Sequence, residues 1–379
     1  MDGDPSARCH PIEMATSNFC LRIGFSLATI VLVASADQIY PNDPRIEWTG
    51  AAFAKTSTEL VEFCRFSDAC LVSTESYFKV ANAKTTTGVV IRFTTTSAKV
   101  TARFRVLPGE NRGSRFGIRQ NGRLITEKSF SKTESNPALE ILSEAPGTAV
   151  TYEILMPIFS NCGLTGLDVS DSTLIANPVR TRPVYAAIGD SITHGTGQTA
   201  TAETYPWLLS NRMGWTLNNL AVGGARVSPS VGNDLKGRKI DVITIMLGFN
   251  DWNIVNDPAV YRANYSALLE HIRMHQADAT IFCITPLPSS RTKSPGANVV
   301  TSLEPYREVV RRLVESRIST GDRRLHLIEG PSVATIADLS KDGTHLSVTG
   351  AAHVADSLEA AIKKLHSAEL QLKPIRRGP

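Results

Sequence analysis

The sequence predicts two architectures in series: an all-β sandwich, then a three-layer α/β/α unit built on a five-stranded parallel sheet. Three observations predict this. Residues from about 40 to 170 carry short strands of period two with no helical stretch between them. From Val184 onward, short apolar strands alternate with helical stretches, the pattern of βα crossovers. Between the two regimes lies Asn177-Pro178-Val179-Arg180-Thr181-Arg182-Pro183, which reads as a linker over 176–183. A chain of 379 residues is also too long for one ordinary core.

The sandwich is expected over 37–175. Val89, Ile91 and Phe93 make one strand. Val100, Ala102, Phe104 and Val106 alternate with Lys99, Thr101, Arg103 and Arg105, as in a strand with one buried face. Asn121-Gly122 separates Phe116–Gln120 from Arg123–Thr126, the signature of a two-residue hairpin. Val150, Tyr152, Ile154 and Met156 make a later strand.

The second unit is expected over 184–366, followed by a tail over 367–379. Val184–Ile188, Thr216–Leu220, Val242–Leu247, Thr280–Ile284 and Leu325–Ile328 read as buried strands. Helical stretches fall near 203–213, 257–276 and 304–319. The closing helix carries an apolar stripe at Ala351, Val354, Ala355, Leu358, Ile362 and Leu365, with Ser347 or Thr349 as its cap. In such a sheet, reactive residues belong on loops at the carboxyl ends of strands. Ser191, Gly224 and Asn250 all follow predicted strands. No internal repeat or low-complexity segment is evident.

With 42% apolar and 20% charged residues, the composition is that of a folded protein. A net charge of +4 is too small for a dedicated nucleic-acid binder, so no nucleic-acid partner is expected. Arg22, the apolar run Phe25–Val33 and Ala34-Ser35-Ala36 read as a signal peptide over 1–36 cleaved near Ala36, with Met14 as an alternative start. A secreted or periplasmic protein is therefore expected, with no stable membrane partner after cleavage. The alternative is an uncleaved anchor, for which the run is short. Cys64 and Cys70 are spaced to close a small loop by disulfide in an oxidising compartment. Cys162 and Cys283 read equally as free thiols, buried or at the surface.

Three motifs carry chemistry: Gly189-Asp190-Ser191, Gly248-Phe249-Asn250-Asp251, and Asp342-Gly343-Thr344-His345. Serine is a poor nucleophile until a base takes its proton. His345 is the candidate base for Ser191, and Asp342, on the same loop, the group that orients the ring. The oxyanion formed on attack needs preorganised donors, each worth about 3–4 kcal/mol. The candidates are the backbone N–H groups of Ser191 and Gly224 and the side-chain amide of Asn250. Gly223 is the alternative to Gly224.

On these blocks the chain resembles a member of the SGNH (GDSL-type) hydrolase superfamily over roughly 183–366. The family's Ser, Gly, Asn and His map onto Ser191, Gly224, Asn250 and His345, with Asp342 in its Asp-x-x-His position. In the first half, GVVIRFTTTS (Gly88–Ser97) and YEILMPIF (Tyr152–Phe159) resemble the N-terminal domain of two-domain carbohydrate acetylesterases, acetylxylan esterases among them. The resemblance implies a flavodoxin-like parallel sheet, a jelly-roll-like sandwich, and removal of O-acetyl groups from carbohydrate by a serine acyl-enzyme route. It implies an acetylated carbohydrate as substrate and no metal or organic cofactor. Leu346 stands where many relatives have proline.

Each residue also has a plainer reading. Ser191 suits a turn or helix cap, Gly223-Gly224 a hinge, Asn250-Asp251 a turn pair, and His345 a surface histidine. Asp190, His194 and Trp252 are candidates for substrate contact, against local turn roles or simple packing. His271 and His275 have helical metal-pair spacing but lack an evident third ligand. Gly195-Thr196-Gly197 lacks the spacing of a dinucleotide loop, and there is no Gly-x-Ser-x-Gly elbow. Rival functions are a lipase or thioesterase on the same scaffold, a non-catalytic carbohydrate-binding protein, and acyl transfer to a second sugar. The polar stretch 287–303, with Ser289, Ser290, Arg291 and Lys293, is unlike an apolar lid.

Overall fold

The computed structural model describes residues 37–73, 77–112, 115–170, 173–293, 296 and 299–372, the side chains of 37 and 366–372 excepted. The leader expected over 1–36 and the basic tail at Lys373–Arg377 lie outside the described residues. No described helix is long and apolar enough to cross a membrane.

The first half forms two antiparallel sheets that face each other. One is built on Lys99–Asn111 and Ser160–Val169, flanked by Ala138–Leu142 and Val61–Glu62. The other runs Leu174–Ile175, Val90–Thr95, Val150–Leu155, Arg115–Gln120 and Arg123–Ser129, with Glu47–Thr49 also paired to Val90–Thr95. The expected alternation fills the space between them. Val100, Ala102 and Phe104 are buried from one sheet, and Ile91, Phe93, Phe116 and Tyr152 from the other. Phe93 and Tyr152 stack at 5.2 Å between centroids. Burying each such side chain contributes about 1.5–3 kcal/mol. The Asn121-Gly122 turn has φ of 49° and 85°, the two positive angles that a tight hairpin needs.

The outer face of the second sheet is covered in part, by helix Tyr205–Met213 through Arg119 and by residues 177–182 through Arg92 and Glu153. Glu47, Arg92, Glu153 and Arg119 lie side by side on four adjacent strands, an alternating ladder of charge on that face. Arg119 reaches across to Asn211 Oδ1 at 3.1 Å and lies 5.6 Å from the Trp207 ring centroid.

The stretch around 63–89 departs from the expected β pattern. It contains short helices at Asp68–Leu71 and Val80–Ala83, and its aromatic residues beyond Phe63 face away from the sandwich. Phe66, Tyr77, Phe78 and Ala83 join the apolar core on one side of the parallel sheet. Clustered aromatics without a period of two gave no sign of this. Cys64 and Cys70 are not bridged: the Cys70 thiol donates to Asp234 Oδ1 at 3.1 Å.

The second half is the expected parallel sheet, in the order Thr216–Asn219, Val184–Gly189, Val242–Met246, Thr280–Ile284, Leu325–Ile328. Period two again sorts the strand residues. Ala186, Ile188, Ile243 and Ile245 face helices Pro258–His275 and Glu304–Ser319. Tyr185, Ala187, Met246 and Phe282 face Tyr205–Met213 and Val348–Leu372. Local signals set the helix starts. Asp257 Oδ1 accepts from Ala259 N at 2.9 Å ahead of Pro258, and Ser347 Oγ accepts from Gly350 N at 3.0 Å.

Candidate active site

The strand order reverses between Val184–Gly189 and Val242–Met246, so their carboxyl ends form the crevice where ligands bind in open α/β sheets. Ser191 follows the first of these strands and Asn250 the second. The turn after Gly189 is too tight for a side chain: a Cβ there would lie 2.0 Å from Thr193 Oγ1. Asp190 then caps the short helix Ser191–His194, its Oδ1 accepting from Ile192 N at 2.9 Å. As the first residue of that helix, Ser191 has a backbone N–H with no intrahelical acceptor.

Ser191, His345 and Asp342 come together. Ser191 Oγ lies 2.8 Å from His345 Nε2, and His345 Nδ1 lies 2.5 Å from Asp342 Oδ2. Asp342 Oδ1 accepts from Ser340 Oγ, Thr344 N and His345 N, each at 2.9 Å. Partial burial acts to raise the Asp342 pKa. The hydrogen bonds from the His345 ring and from its neighbours outweigh it and hold the carboxyl well below the usual carboxylate range. An ionised Asp342 fixes the proton on Nδ1 and leaves Nε2 to accept from the serine hydroxyl. Gly197, at φ 100°, lies so close that a Cβ would meet Leu346 O at 2.1 Å, which seats the histidine loop against the serine loop. Leu346 is itself fully buried in the apolar core, so its side chain serves packing.

The loop Val222–Val227 supplies the next wall. Gly224 adopts φ 81°, and its N–H makes no hydrogen bond among the described residues. Asn250 Nδ2 donates to Ala225 O at 3.0 Å, which uses one of the two hydrogens of the amide. Asp251 accepts from Val227 N at 3.2 Å. Burial pushes Asp251 up to about 6 despite that bond. The N–H groups of Ser191 and Gly224 thus have no acceptor among the described residues, and the Asn250 amide keeps one hydrogen beyond its bond to Ala225 O.

Much of what holds this loop comes from before residue 90, and sequence reasoning missed it. Arg65 is buried without a carboxylate. It donates to the carbonyls of Thr85 (2.6 Å), Asn219 (2.7 Å), Ala221 (2.9 Å), Asn82 (3.0 Å) and Ala83 (3.2 Å). Burial lowers its pKa to about 9, with the Tyr77 hydroxyl opposing. Tyr77 donates to Leu220 O, and Asn82 Nδ2 to Gly223 O at 3.0 Å. No motif flags these residues; the one available signal is an arginine within the apolar stretch Phe63–Phe66.

The three candidates for substrate contact do not reach the surface of the site. Asp190 is 2% exposed and serves as the helix cap; burial raises it to about 7, against the Ile192 hydrogen bond and with the Asp251 charge adding. His194 is fully buried. Its Nδ1 accepts from Gly223 N at 3.0 Å, and its Nε2 lies 2.8 Å from Thr87 Oγ1 and 2.9 Å from Thr85 Oγ1. Burial, and then the charges of Arg65 and Arg112, push its pKa well below the usual imidazole value, so the ring is neutral. Trp252 is 1% exposed and donates Nε1–H to Val300 O at 2.9 Å, the packing role that stood against substrate contact. Among the described residues no three His, Cys, Asp or Glu side chains cluster as metal ligands. A separate cavity of about 320 Å³ lies under the charge ladder, walled by Trp207 and Trp215, and contains none of the site residues.

Residues 187–353 match the model of the GDSL-like Lipase/Acylhydrolase family. No curated protein matches the chain in sequence. Solved structures share the whole arrangement at low identity. A salicylyl-acyltransferase from a tetracycline biosynthetic pathway superposes with TM-score 0.77 at 20% identity, over 90% of this chain and 99% of that one. A family two carbohydrate esterase from Clostridium thermocellum, in complex with cellohexaose, gives 0.62 at 16%, over 85% and 99%. An acetyl xylan esterase from the rumen bacterium Butyrivibrio proteoclasticus gives 0.60 at 14%, over 85% and 99%. At such identities the likeness concerns the fold.

Proposed function

The chain carries a domain of the GDSL-like lipase/acylhydrolase family over residues 187–353, and on that premise we propose a serine esterase that removes small acyl groups, acetyl foremost, from carbohydrate hydroxyls. The observation that carries the reading is the continuous line from Asp342 through His345 to Ser191 Oγ, ending beside donors that lack acceptors. Ser191 Oγ attacks the ester carbonyl as His345 Nε2 takes its proton, and Asp342 stabilises the imidazolium. The backbone N–H groups of Ser191 and Gly224 and the Asn250 amide receive the oxyanion. His345 returns the proton to the leaving sugar oxygen. Water, deprotonated by the same imidazole, then releases the carboxylate.

A carbohydrate ester is favoured over a lipid by the polar 287–293 segment beside the site and by the sandwich that this chain shares with carbohydrate esterases. The leader-like sequence at 1–36 supports export, where such substrates are met. Acyl transfer to a hydroxyl is the second reading, favoured by the fold shared with an acyltransferase. The test is acetate release from an aryl acetate and from acetylated xylan, mannan, pectin and alginate, with an acceptor alcohol added to trap transfer products. Ser191→Ala is expected to lower turnover by at least about 10⁴-fold with an unchanged circular dichroism spectrum. Undiminished turnover would remove the assignment.

A further inference from the structure

About half of the described basic side chains are matched by carboxylates. Arg311 meets Glu304, Glu308 and Glu329; Arg119 and Arg180 share Glu153; Arg273 meets Asp322. Lys79, Arg291 and Lys293 have no ion pair among the described residues and lie near the proposed acyl site. The Lys79 stem lies across Gly224: a Cβ on that glycine would come within 2.5 Å of Nζ and 2.8 Å of Cε. Arg291 Nε donates to the carbonyl of Asp342 at 3.4 Å. Lys293 Nζ donates to Asn253 O at 2.6 Å and lies 5.7 Å from the Trp252 ring centroid.

The acidic groups on this face are already engaged. Asp342 is bonded to His345, Asp190 and Asp251 are buried, and Asp257 caps helix Pro258–His275. Three cations thus stand beside a reaction centre whose ester substrate carries no charge at the bond that breaks. Clustered like charges repel one another, and a rim of one sign concentrates ligands of the other. Lys79 and Lys293 carry flexible stems with point charges, suited to a carboxylate that differs in position from one sugar unit to the next.

We infer that the rim is an anion subsite and that the ester it receives is an acylated acidic saccharide, with Lys79 binding a uronate carboxylate. The placement fits, since Lys79 lies directly over the glycine whose N–H addresses the acyl oxygen. A uronate bears its carboxylate on the ring that carries the acylated hydroxyl. This rests on the esterase reading above and names its substrate class.

The test compares kcat/KM for acetylated polygalacturonate, acetylated alginate, acetylated xylan and an acetylated sulfated polysaccharide, with an uncharged aryl acetate as reference. The wild-type protein is expected to prefer the polyuronates. Raising salt from about 20 to about 300 mM should erode that preference several-fold without a matching effect on xylan. Lys79→Gln should lower the ratio of polyuronate to xylan kcat/KM by about tenfold, chiefly through KM, and Arg291→Gln should lower it less. A melting temperature within a few degrees of wild type shows that both variants fold. Equal rates on acidic and neutral polymers, or an unchanged ratio in Lys79→Gln, would overturn the inference while aryl acetate hydrolysis leaves the esterase reading standing. Preference for the sulfated polymer would overturn the carboxylate assignment. Absence of any aryl acetate hydrolysis would instead sink the esterase reading, and this inference with it.

Discussion

Replacing Asp342 by asparagine separates what this residue does for the fold from what it does for the reaction. Its Oδ1 accepts three hydrogen bonds, from Ser340 Oγ, Thr344 N and His345 N, while Oδ2 faces one ring nitrogen. An amide can keep only one of these two sets. Turning its NH₂ toward the backbone donors would leave two N–H groups unmatched, at about 1–3 kcal/mol each where shielded from water. Turning it toward His345 keeps all three bonds and presents an N–H to Nδ1. The second orientation is cheaper, so the ring inverts its tautomer, and Nε2–H then points at Ser191 Oγ where a base is needed. The expected loss in kcat is about 10⁴-fold, or about 5 kcal/mol of transition-state stabilisation, with the loop intact. The assay is aryl acetate turnover from pH 5 to 9 beside thermal melting of the same samples. The wild-type carboxyl is depressed in the folded state, so its contribution to stability is complete above about pH 4 and is lost as pH falls toward the folded-state value. Asp342→Asn lacks that acid limb. Turnover within tenfold of wild type would refute the reasoning, because it would mean the ring finds its tautomer without the carboxylate.

Two further outcomes follow from the oxyanion loop. Asn250→Ala should lower kcat by about 10²–10³-fold with KM for a small aryl acetate little changed; steady-state kinetics check this, and a change confined to KM would remove Asn250 from the oxyanion site. His194→Leu leaves Gly223 N–H buried without an acceptor, so about 1–3 kcal/mol of stability and at least about tenfold in kcat should go together. Because burial lowers the folded-state pKa of His194, the stability held by its neutral ring is whole above about pH 6.5 and declines as pH falls below that value. Denaturant unfolding at pH 7 and pH 5 should show a smaller pH effect in the variant, and a lowered melting temperature with wild-type kcat would show that the loop is set without the imidazole.

What could be read from the sequence divides by the range of the interaction. Strands such as Thr280–Ile284 and Leu325–Ile328, and the helix Glu304–Ser319, fall where periodicity puts them, because period and caps are local. The convergence of Ser191, His345 and Asp342 was legible only through motif order, since the contact spans 154 residues of chain. Asp190, His194 and Trp252 were misjudged for one reason: proximity in sequence to a reactive residue says nothing about which way a side chain points. Both strand-to-helix turns pack against the interior, and these three are buried. Lys79 lies far from Gly224 in sequence and could not be placed by any local rule.

The two architectures meet around the Gly224 loop. The Gly224 loop is fixed at Asn219 and Ala221 by Arg65, at Leu220 by Tyr77, and at Gly223 by Asn82 and by His194. Three of those four side chains precede the sandwich's central strands, and the fourth is itself held by Thr85 and Thr87. Oxyanion stabilisation depends on donors that do not reorganise as charge develops. A loop tied on one side by the parallel sheet and on the other by residues 65–87 meets that condition; a loop tied by the sheet alone would leave the Asn219, Ala221 and Gly223 carbonyls to water. The residues before position 90 are therefore part of the acyl site's rigidity, and Lys79, carried on the same segment, shows how that support also brings a charged side chain to the site's edge.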